Sequence, residues 1–310
     1  MAFKLPNYPT PRASASELAD FAELLTLLAG RCSATEVQRY LSRIDDNDNN
    51  SGIDDNDVVN EMLSDAMMTE IGYRTEACPD GYPFKIDLAG SFIVCRDDGQ
   101  PYKMQIYKYL LLATRLNMRR QHIHAGIDGT KIMEELGALI LRSYLGARAK
   151  VEVFGTARLG SFEEKINSLC AALGEGGSFR NIDSGATHAN DDGLDVVGWI
   201  PFSDRQPAKL CVFGQCKTGT SWSGEIYRLD PVNFVRRWMS GTIIVDPVKA
   251  HFIAESAERS QWSGICLYGG IFFDRCRIVD ISDSIDRSFI QQIDAWISGA
   301  ILALEESNWR

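Results

Sequence analysis

Two neighbouring stretches decide the fold of this chain, NDDGLDVVGWIPF at residues 190–202 and KLCVFGQCKTG at residues 209–219. Each contains a run rich in apolar and β-branched residues, 194–202 in the first and 210–217 in the second, which is typical of a β-strand. Turn-forming residues occupy 203–207, between the two runs. The pattern therefore predicts an antiparallel hairpin.

Polar residues mark one end of this hairpin. Asp195 lies at the start of the first strand, whereas Gln215 and Lys217 lie at the end of the second. Gln215 and Lys217 are two residues apart, so their side chains point to the same face of the sheet. An amide beside an ammonium at the end of an apolar strand is suited to binding a phosphodiester.

The order of these residues resembles the PD-(D/E)xK nucleases in their Gln-x-Lys variant, and most of all the catalytic domain of Mrr-type restriction endonucleases. The segments that carry the resemblance are Gly160-Ser-Phe-Glu-Glu164, Asp191-Asp-Gly-Leu-Asp195 and Gln215-Cys-Lys217. It covers roughly residues 154–252. The chain departs from the family in a longer loop between the two strands and in Asp192, which stands where the family has glycine.

The glutamate of the pattern falls on a helix that Ser161 caps and that runs to about Leu173. Its apolar stripe is centred near Phe162. At 3.6 residues per turn, Glu163 lies at the edge of this stripe and Glu164 lies opposite it. We therefore expect Glu163, and not Glu164, to lean toward the sheet.

The resemblance implies a role for each residue. Asp195, Gln215, Glu163 and the backbone carbonyl of Cys216 would hold Mg²⁺ or Mn²⁺, and Lys217 would hold the attacking water or the phosphate. Taken singly, each side chain also fits a structural role. An aspartate caps turns, a lysine ends a strand in solvent, and an acid in the first turn of a helix complements the helix dipole.

Four further residues are candidates for contact with DNA: Arg158, Trp222, Arg236 and Arg237. Salt bridging or core packing explains each of them equally well.

A length of 310 residues is expected for one large domain or two ordinary ones. We place a mainly helical α+β domain for recognition or partner binding at 1–149 and the nuclease domain at 150–310. The net charge is −10, and each of these two parts carries −5. Because neither half is basic, any surface for DNA must be a local patch, or a partner must supply affinity.

The remaining composition predicts a cytoplasmic protein without contact with a membrane. No run is apolar and long enough to span a bilayer, and the N-terminus lacks the apolar region of a signal peptide. The eight cysteines lack the spacing of a zinc site. His122 and His124 alternate as on a strand, and a surface or packing role is favoured over metal binding. The acidic residues 45–57 match a calcium loop poorly, so a solvated loop is favoured.

The rest of the C-terminal half predicts a mixed α/β sheet flanked by helices, a restriction-endonuclease-like core. The expected elements are a strand at 150–155, a helix at 230–239, strands at 242–245, 250–254, 264–271 and 277–281, and a closing helix at 284–304.

Together these features predict a metal-dependent DNA endonuclease. By analogy, it would act in bacterial defence against foreign DNA of phage or plasmid origin, and a helicase- or ATPase-type partner or self-assembly would activate it. The alternative is a nuclease-like scaffold that binds nucleic acid or a protein without cutting, and RNA cleavage would use the same chemistry.

Overall fold

The computed structural model of the chain describes residues 13–37, 39, 53–182, 192–283 and 285–306. The first half is built from these elements: α1 (Ala15–Ala29), β1 (Arg31–Ser33), α2 (Ile53–Ala77), β2 (Phe84–Ile86), β3 (Phe92–Cys95), α3 (Pro101–Arg115), β4 (Ile123–His124), β5 (Ile127–Asp128) and α4 (Gly129–Leu145). The second half continues with β6 (Lys150–Val153), α5 (Phe162–Leu173), β7 (Val196–Trp199), β8 (Cys211–Lys217), α6 (Pro231–Trp238), β9 (Val248–Ile253), α7 (Trp262–Gly269), β10 (Ile271–Phe273), α8 (Arg275–Asp280) and α9 (Arg287–Glu306).

A five-stranded mixed sheet organises the second half, with the strand order β10-β9-β8-β7-β6. The predicted hairpin is confirmed, because β7 and β8 pair antiparallel with Val196 opposite Gly214. β6 adds to the outer side of β7 in the antiparallel sense, and β9 and β10 continue the sheet parallel to β8. The mixed α/β class predicted for this half is therefore confirmed, and the hairpin lies in the middle of the sheet.

Helix α4 packs against one face of this sheet at glycines. A Cβ on Gly137 would lie 2.6 Å from Sγ of Cys216, and a Cβ on Gly198 would lie 2.8 Å from Cδ2 of Leu141. Any side chain at these two positions would collide, so glycine allows the helix to lie directly on the strands. The other face carries a separate apolar cluster to which α5 and α6 contribute.

The expected division at residue 150 does not coincide with a division of the core. One cluster of buried apolar side chains contains residues of α1, α3 and α4 together with residues of β8, β9 and α9. The buried side chain of Arg275 in α8 also forms an ion pair with Asp20 in α1 at 2.7 Å. The two parts are one packed structure, because the helix that covers the sheet, α4, comes from the part that we assigned to the other domain.

Three predicted strands are wrong. Residues 264–271 fall largely in helix α7, residues 277–281 fall largely in helix α8, and residues 242–245 form no strand. Short apolar runs cannot be assigned to helix or strand by periodicity alone. The local signal that decides α8 is Asp274, whose side chain accepts a hydrogen bond from the backbone N–H of Arg277 as an N-cap.

The acidic segment 45–57 is only partly described. Residues 45–52 lie outside the described residues, whereas 53–57 begin helix α2 and are not a loop. None of the helices in the described parts of the chain is both long and apolar enough to cross a membrane.

Candidate functional site

Asp195 immediately precedes β7, and the backbone and the side chain both hold it in place. Its N–H donates to the carbonyl of Gly214 at 2.9 Å, and its carbonyl accepts from Phe154 at 2.7 Å. Its carboxylate oxygen Oδ2 accepts the backbone N–H of Cys216 at 2.7 Å. Because Cys216 lies between Gln215 and Lys217, this hydrogen bond brings four of the predicted site residues together at one end of the hairpin.

A second carboxylate, that of Glu134 in α4, reaches the same place. A Cβ on Gly155 would lie 2.6 Å from Oε2 of Glu134 and 2.9 Å from Oδ1 of Asp195. The two carboxylates therefore border one small space that only a glycine leaves open. Glu134 lies one helical turn before Gly137, so the close packing of α4 on the sheet delivers it.

The segment after β6 holds the Glu134 carboxylate in position. Oε1 accepts the backbone N–H of Thr156 at 3.1 Å and its hydroxyl at 2.7 Å, and Oε2 accepts the backbone N–H of Ala157 at 2.7 Å. Three donors from two adjacent residues fix the plane of the carboxylate. The side chain is thus oriented before any ligand arrives.

The amide of Gln215 is buried next to His251 of β9. Nδ1 of His251 lies 2.8 Å from the carbonyl oxygen of Gly269, and Nε2 lies 3.2 Å from Oε1 of Gln215. Burial lowers the pKa of His251 to about 4, so the ring is neutral at neutral pH. A carbonyl only accepts, so the single ring proton is on Nδ1 and Nε2 is an acceptor.

This tautomer decides which end of the Gln215 amide faces the ring. An acceptor at Nε2 of His251 requires the NH₂ group of Gln215 beside it, and the two ends of an amide exchange by a half-turn. The opposite end is the atom that has no hydrogen-bond partner, and it points toward Gly193. With the amide turned to suit His251, that buried atom is the carbonyl oxygen, which is a possible metal ligand.

Lys217 lines a cleft of about 530 Å³, and α4, the residues after α3 and the residues after β8 form the other walls. Its ammonium donates to Oε2 of Glu225 at 2.5 Å. The guanidinium groups of Arg119 and Arg228 each come within 4.0 Å of the same carboxylate. The hydrogen bond from Lys217 lowers the pKa of Glu225, so this carboxylate is ionised at neutral pH and neutralises the lysine.

Cys216 points away from Gln215 and Lys217, as predicted, since its Sγ lies against Gly137 of α4. Burial, followed by the proximity of Asp195 and Glu134, raises the pKa of its thiol well above the usual value. The thiol is therefore protonated, and only its backbone carbonyl is a suitable ligand for a hard ion.

The oxygens at this place fit Mg²⁺ or Mn²⁺. Asp195 and Glu134 present carboxylate oxygens, which hard divalent ions prefer, and the turned amide of Gln215 presents a further oxygen from the neighbouring strand. Across the described parts of the chain, no group of three or more His, Cys, Asp or Glu side chains could hold a metal ion. Asp195 and Glu134 are two such side chains, and amide or backbone oxygens would have to supply any further ligands.

Glu163 does not take the predicted position. It is exposed in the first turn of α5, whereas the buried stripe of that helix consists of Lys165, Ile166, Leu169, Cys170 and Leu173. The expectation that Glu163 leans toward the sheet is wrong, because the true buried stripe turns away from it. The prediction failed because α4, and not α5, delivers a glutamate to the end of β7 and β8.

The four candidates for DNA contact differ in their surroundings. Trp222 is 7% exposed and its indole N–H donates to Glu255, so its role is in packing and the prediction is wrong. Arg158 donates to Glu152 at 2.8 Å, and Arg237 lies 3.4 Å from Asp192. Arg236 is exposed, and its backbone carbonyl accepts a hydrogen bond from the guanidinium of Arg180 at 2.8 Å.

Asp192 explains one departure from the resembled family. Its backbone has a φ of 48°, in the left-handed region that favours glycine. Aspartate is among the few other residues that tolerate this region. Its carboxylate accepts the indole N–H of Trp238 at 2.6 Å. Aspartate in place of the family's glycine therefore keeps the turn and adds the contact with Trp238. Asp191, the preceding residue of the pattern, lies outside the described residues.

Sequence reasoning missed Glu134, Glu225 and His251. Glu134 carried a signal, because it shares a helical face with Gly137 and Leu141, and an acid on an apolar face needs a partner. Glu225 and His251 carried none, because their roles depend on packing between segments that are distant in sequence.

Comparison with protein-family models, with curated proteins and with solved structures found no match to this chain. The function must therefore be inferred from the site itself.

Proposed function

We propose that this protein is a metal-dependent nuclease that hydrolyses phosphodiester bonds of DNA. The observation that carries the proposal is the convergence of the Asp195 and Glu134 carboxylates on one small space beside Gly155, at the strand end where Lys217 enters a cleft. Two acids, an amide and an ammonium at one strand end are the groups that the PD-(D/E)xK resemblance requires.

The surrounding sheet supports this proposal. The strands that carry Asp195 and Lys217 are neighbours in the middle of a mixed sheet with helices on both faces, as a restriction-endonuclease-like core implies. The glutamate of the resembled pattern is supplied by Glu134 of α4. Met133 precedes it, so the Phe-Glu pair of the family is absent at this position.

Each residue has a chemical role in this proposal. Asp195, Glu134 and the carbonyl oxygen of Gln215 would hold the ion, and a bound divalent ion activates water and stabilises charge on the phosphoryl group. Lys217 binds a phosphate oxygen or orients the attacking water through its three N–H donors. His251 acts through Gln215, since its acceptor nitrogen holds the NH₂ group of the amide and leaves the amide oxygen facing Gly193.

The substrate must change the partner of Lys217. Its ammonium is paired with Glu225, and Arg119 and Arg228 surround the same carboxylate. A phosphate that enters the cleft meets these three cations and takes the place of Glu225. We infer that the carboxylates of Asp195, Glu134 and Glu225 repel DNA until an ion is bound.

Plasmid cleavage in Mg²⁺, and separately in Mn²⁺, tests the proposal. We expect the wild type to nick DNA, and Lys217→Ala and Asp195→Ala to lose at least about a hundredfold of that rate. Lys131→Ala is the matched control, since Lys131 is exposed on α4 and lies outside the cleft. Equal cleavage by the wild type and Lys217→Ala would overturn the proposal.

A binding role without cleavage is the second candidate. It is favoured by the fact that the groups of the cleft already have partners, since Glu134 accepts three hydrogen bonds and Lys217 is paired. This alternative predicts DNA binding that Asp195→Ala leaves unchanged and no cleavage with either ion. RNA as substrate, a role in bacterial defence, a cytoplasmic location and activation by a helicase-type partner or self-assembly stay predictions.

A further inference from the structure

A second cavity lies at the opposite end of the hairpin from Lys217. It has a volume of about 660 Å³ and lies between the start of β6, the end of α5 and the loop that joins β7 to β8. Trp199 at the end of β7 lines it, whereas Asp195 lies at the start of that strand. Four residues at about 3.3 Å each separate the two by about 13 Å, so this cavity is distinct from the candidate nuclease site.

The charged residues that line this cavity are all cations: Arg148, Lys150, Arg205 and Lys209. Lys209 is neutralised, because its ammonium lies 3.1 Å from Glu175 and 2.7 Å from the carbonyl oxygen of Leu173. Among the described residues, no carboxylate pairs with the other three. Three uncompensated cations in one concave site of a chain with net charge −10 indicate a ligand that carries several negative charges.

The position of each cation favours a site that is open to solvent. Arg148 and Arg205 are exposed, and Lys150 is exposed at the first residue of β6, opposite Trp199. The backbone N–H of Arg205 donates to the carbonyl of Phe202 at 3.2 Å, which closes the turn that brings this arginine back over the cavity. Arg148 donates one long hydrogen bond, to the carbonyl oxygen of Pro201 at 3.5 Å. The three cations are therefore exposed at the cavity, and no carboxylate among the described residues competes there with an anion.

Aromatic rings supply the other half of the cavity. Phe202 is 51% exposed on the cavity wall, and Trp199 is 2% exposed at its base. An exposed phenyl ring beside cations suits a ligand with a planar base and phosphate groups, since bases stack on aromatic faces. The volume is that of a site for a small organic ligand and is too large for a phosphate ion alone.

We propose that this cavity binds a nucleotide, with the phosphates on Arg148, Lys150 and Arg205 and the base against Phe202. The nucleotide is either free or a unit of a nucleic acid strand. The proposal does not depend on nuclease activity, because none of its residues belongs to the Asp195 site.

Calorimetric titration of the full chain with ADP, in low salt and without divalent ions, tests the site. We expect ADP to bind, and the double variant Arg148→Gln with Arg205→Gln to weaken binding by about tenfold or more, as loss of charge-assisted hydrogen bonds predicts. Arg287→Gln removes an exposed arginine outside the cavity and should leave the affinity unchanged. Failure of ADP to bind, or equal binding by the double variant, would overturn the proposal.

Pyrophosphate and an oligonucleotide complete the test. Phe202→Ala should weaken ADP and leave pyrophosphate unchanged; equal affinity of the wild type for ADP and pyrophosphate would overturn the assignment of a base. Competition by hexathymidylate identifies the ligand as a unit of a strand, whereas ADP binding without such competition identifies a free nucleotide. We expect Lys217→Ala to bind ADP as the wild type does. A failure of the nucleotide proposal is therefore distinguishable from a failure of the nuclease proposal.

Discussion

Two polar clusters in this protein are similar in the kinds of residue they contain and differ in their access to solvent. One is a buried network around Asp20 of α1, and the other is the candidate site around Asp195 of β7. Both place acids next to basic or amide groups at the meeting of several elements. Asp20, Arg74 and Arg275 of the first are closed to solvent, whereas the second borders a cleft. Each contains one buried side-chain atom without a hydrogen-bond partner, Nη2 of Arg115 in the first and the far amide atom of Gln215 in the second.

The Asp20 network joins the two halves of the chain. Each carboxylate oxygen of Asp20 accepts two hydrogen bonds. The donors are Arg74, Arg115 and Arg275, at 2.6 to 3.1 Å. Burial opposes ionisation of Asp20, but the three guanidinium groups outweigh it and hold its pKa far below the usual value. Burial raises the pKa of the neighbouring Glu23, which accepts from two tyrosine hydroxyls.

The two clusters differ in their capacity to bind a ligand. A buried network whose charges are paired with one another and closed to solvent leaves no room for a ligand, so its residues serve the fold. The Asp195 cluster keeps oxygens beside an open space and a cation in a cleft, so it retains capacity for an ion and an anion. Variants in the first should therefore change stability, and variants in the second should change binding and cleavage.

Asp20→Asn has the largest expected effect. It leaves three buried guanidinium groups without their shared counter-ion, so we expect the free energy of unfolding to fall by about 3–5 kcal/mol. Urea denaturation at neutral pH measures it. Asp65→Asn, an exposed change of the same charge on α2, should stay within about 0.5 kcal/mol of the wild type.

The same variant has a pH dependence of known sign. The folded-state pKa of Asp20 is depressed, so its contribution is complete above the unfolded-state value of about 3.9. It is lost as pH falls toward the folded-state value. The difference in stability between wild type and Asp20→Asn should therefore shrink below about pH 4, and a constant difference down to strong acid would contradict this assignment.

Glu134→Gln tests which glutamate serves the site. An amide in place of the carboxylate removes one charge from the space beside Gly155, so we expect Mg²⁺-dependent cleavage to fall by about a hundredfold. Glu163→Gln is the matched control on α5 and should stay within about twofold, as exposed residues outside a site do. If Glu163→Gln lost activity and Glu134→Gln kept it, the glutamate of the site would be Glu163 of α5 and not Glu134 of α4.

Gly155→Ala should have a smaller effect that is confined to the site. The added methyl would lie 2.6 Å from Glu134 and 2.9 Å from Asp195, so it fills the space where we place the ion. We expect the affinity for Mn²⁺, measured by calorimetry, to fall by about tenfold or more. Gly224→Ala, which meets no atom within 4 Å, is the control for the substitution itself. Equal affinity in both variants would show that the ion binds elsewhere.

Glu225→Gln should have the smallest effect, and it should strengthen binding where the other variants weaken stability, cleavage or ion binding. It frees Lys217, Arg119 and Arg228 from their shared carboxylate, so we expect DNA to bind a few-fold more tightly, with a steeper dependence on salt. Fluorescence anisotropy with a short duplex across a salt series measures both. Tighter binding that does not depend on salt would contradict the electrostatic explanation. A complete loss of cleavage would assign Glu225 to the metal site instead.

The sequence by itself determined the local part of this site. The alternation of side chains along a strand has a period of two, so Gln215 and Lys217 had to share a face and Cys216 had to take the other. The turn at 203–207 set the antiparallel pairing that brings Asp195 to their end of the hairpin. These relations depend on residues near one another in the chain, where propensity and periodicity act directly.

Only the tertiary structure decided which remote residues complete the site. Glu134 reaches Asp195 because Gly137 and Gly155 let α4 and the segment after β6 approach the sheet, and no local pattern states which helix covers which strands. The choice of Glu163 failed for this reason. The orientation of Gln215 likewise depends on His251, which parallel pairing of β9 with β8 places beside it. Periodicity acts within one element, whereas these contacts arise from packing between elements.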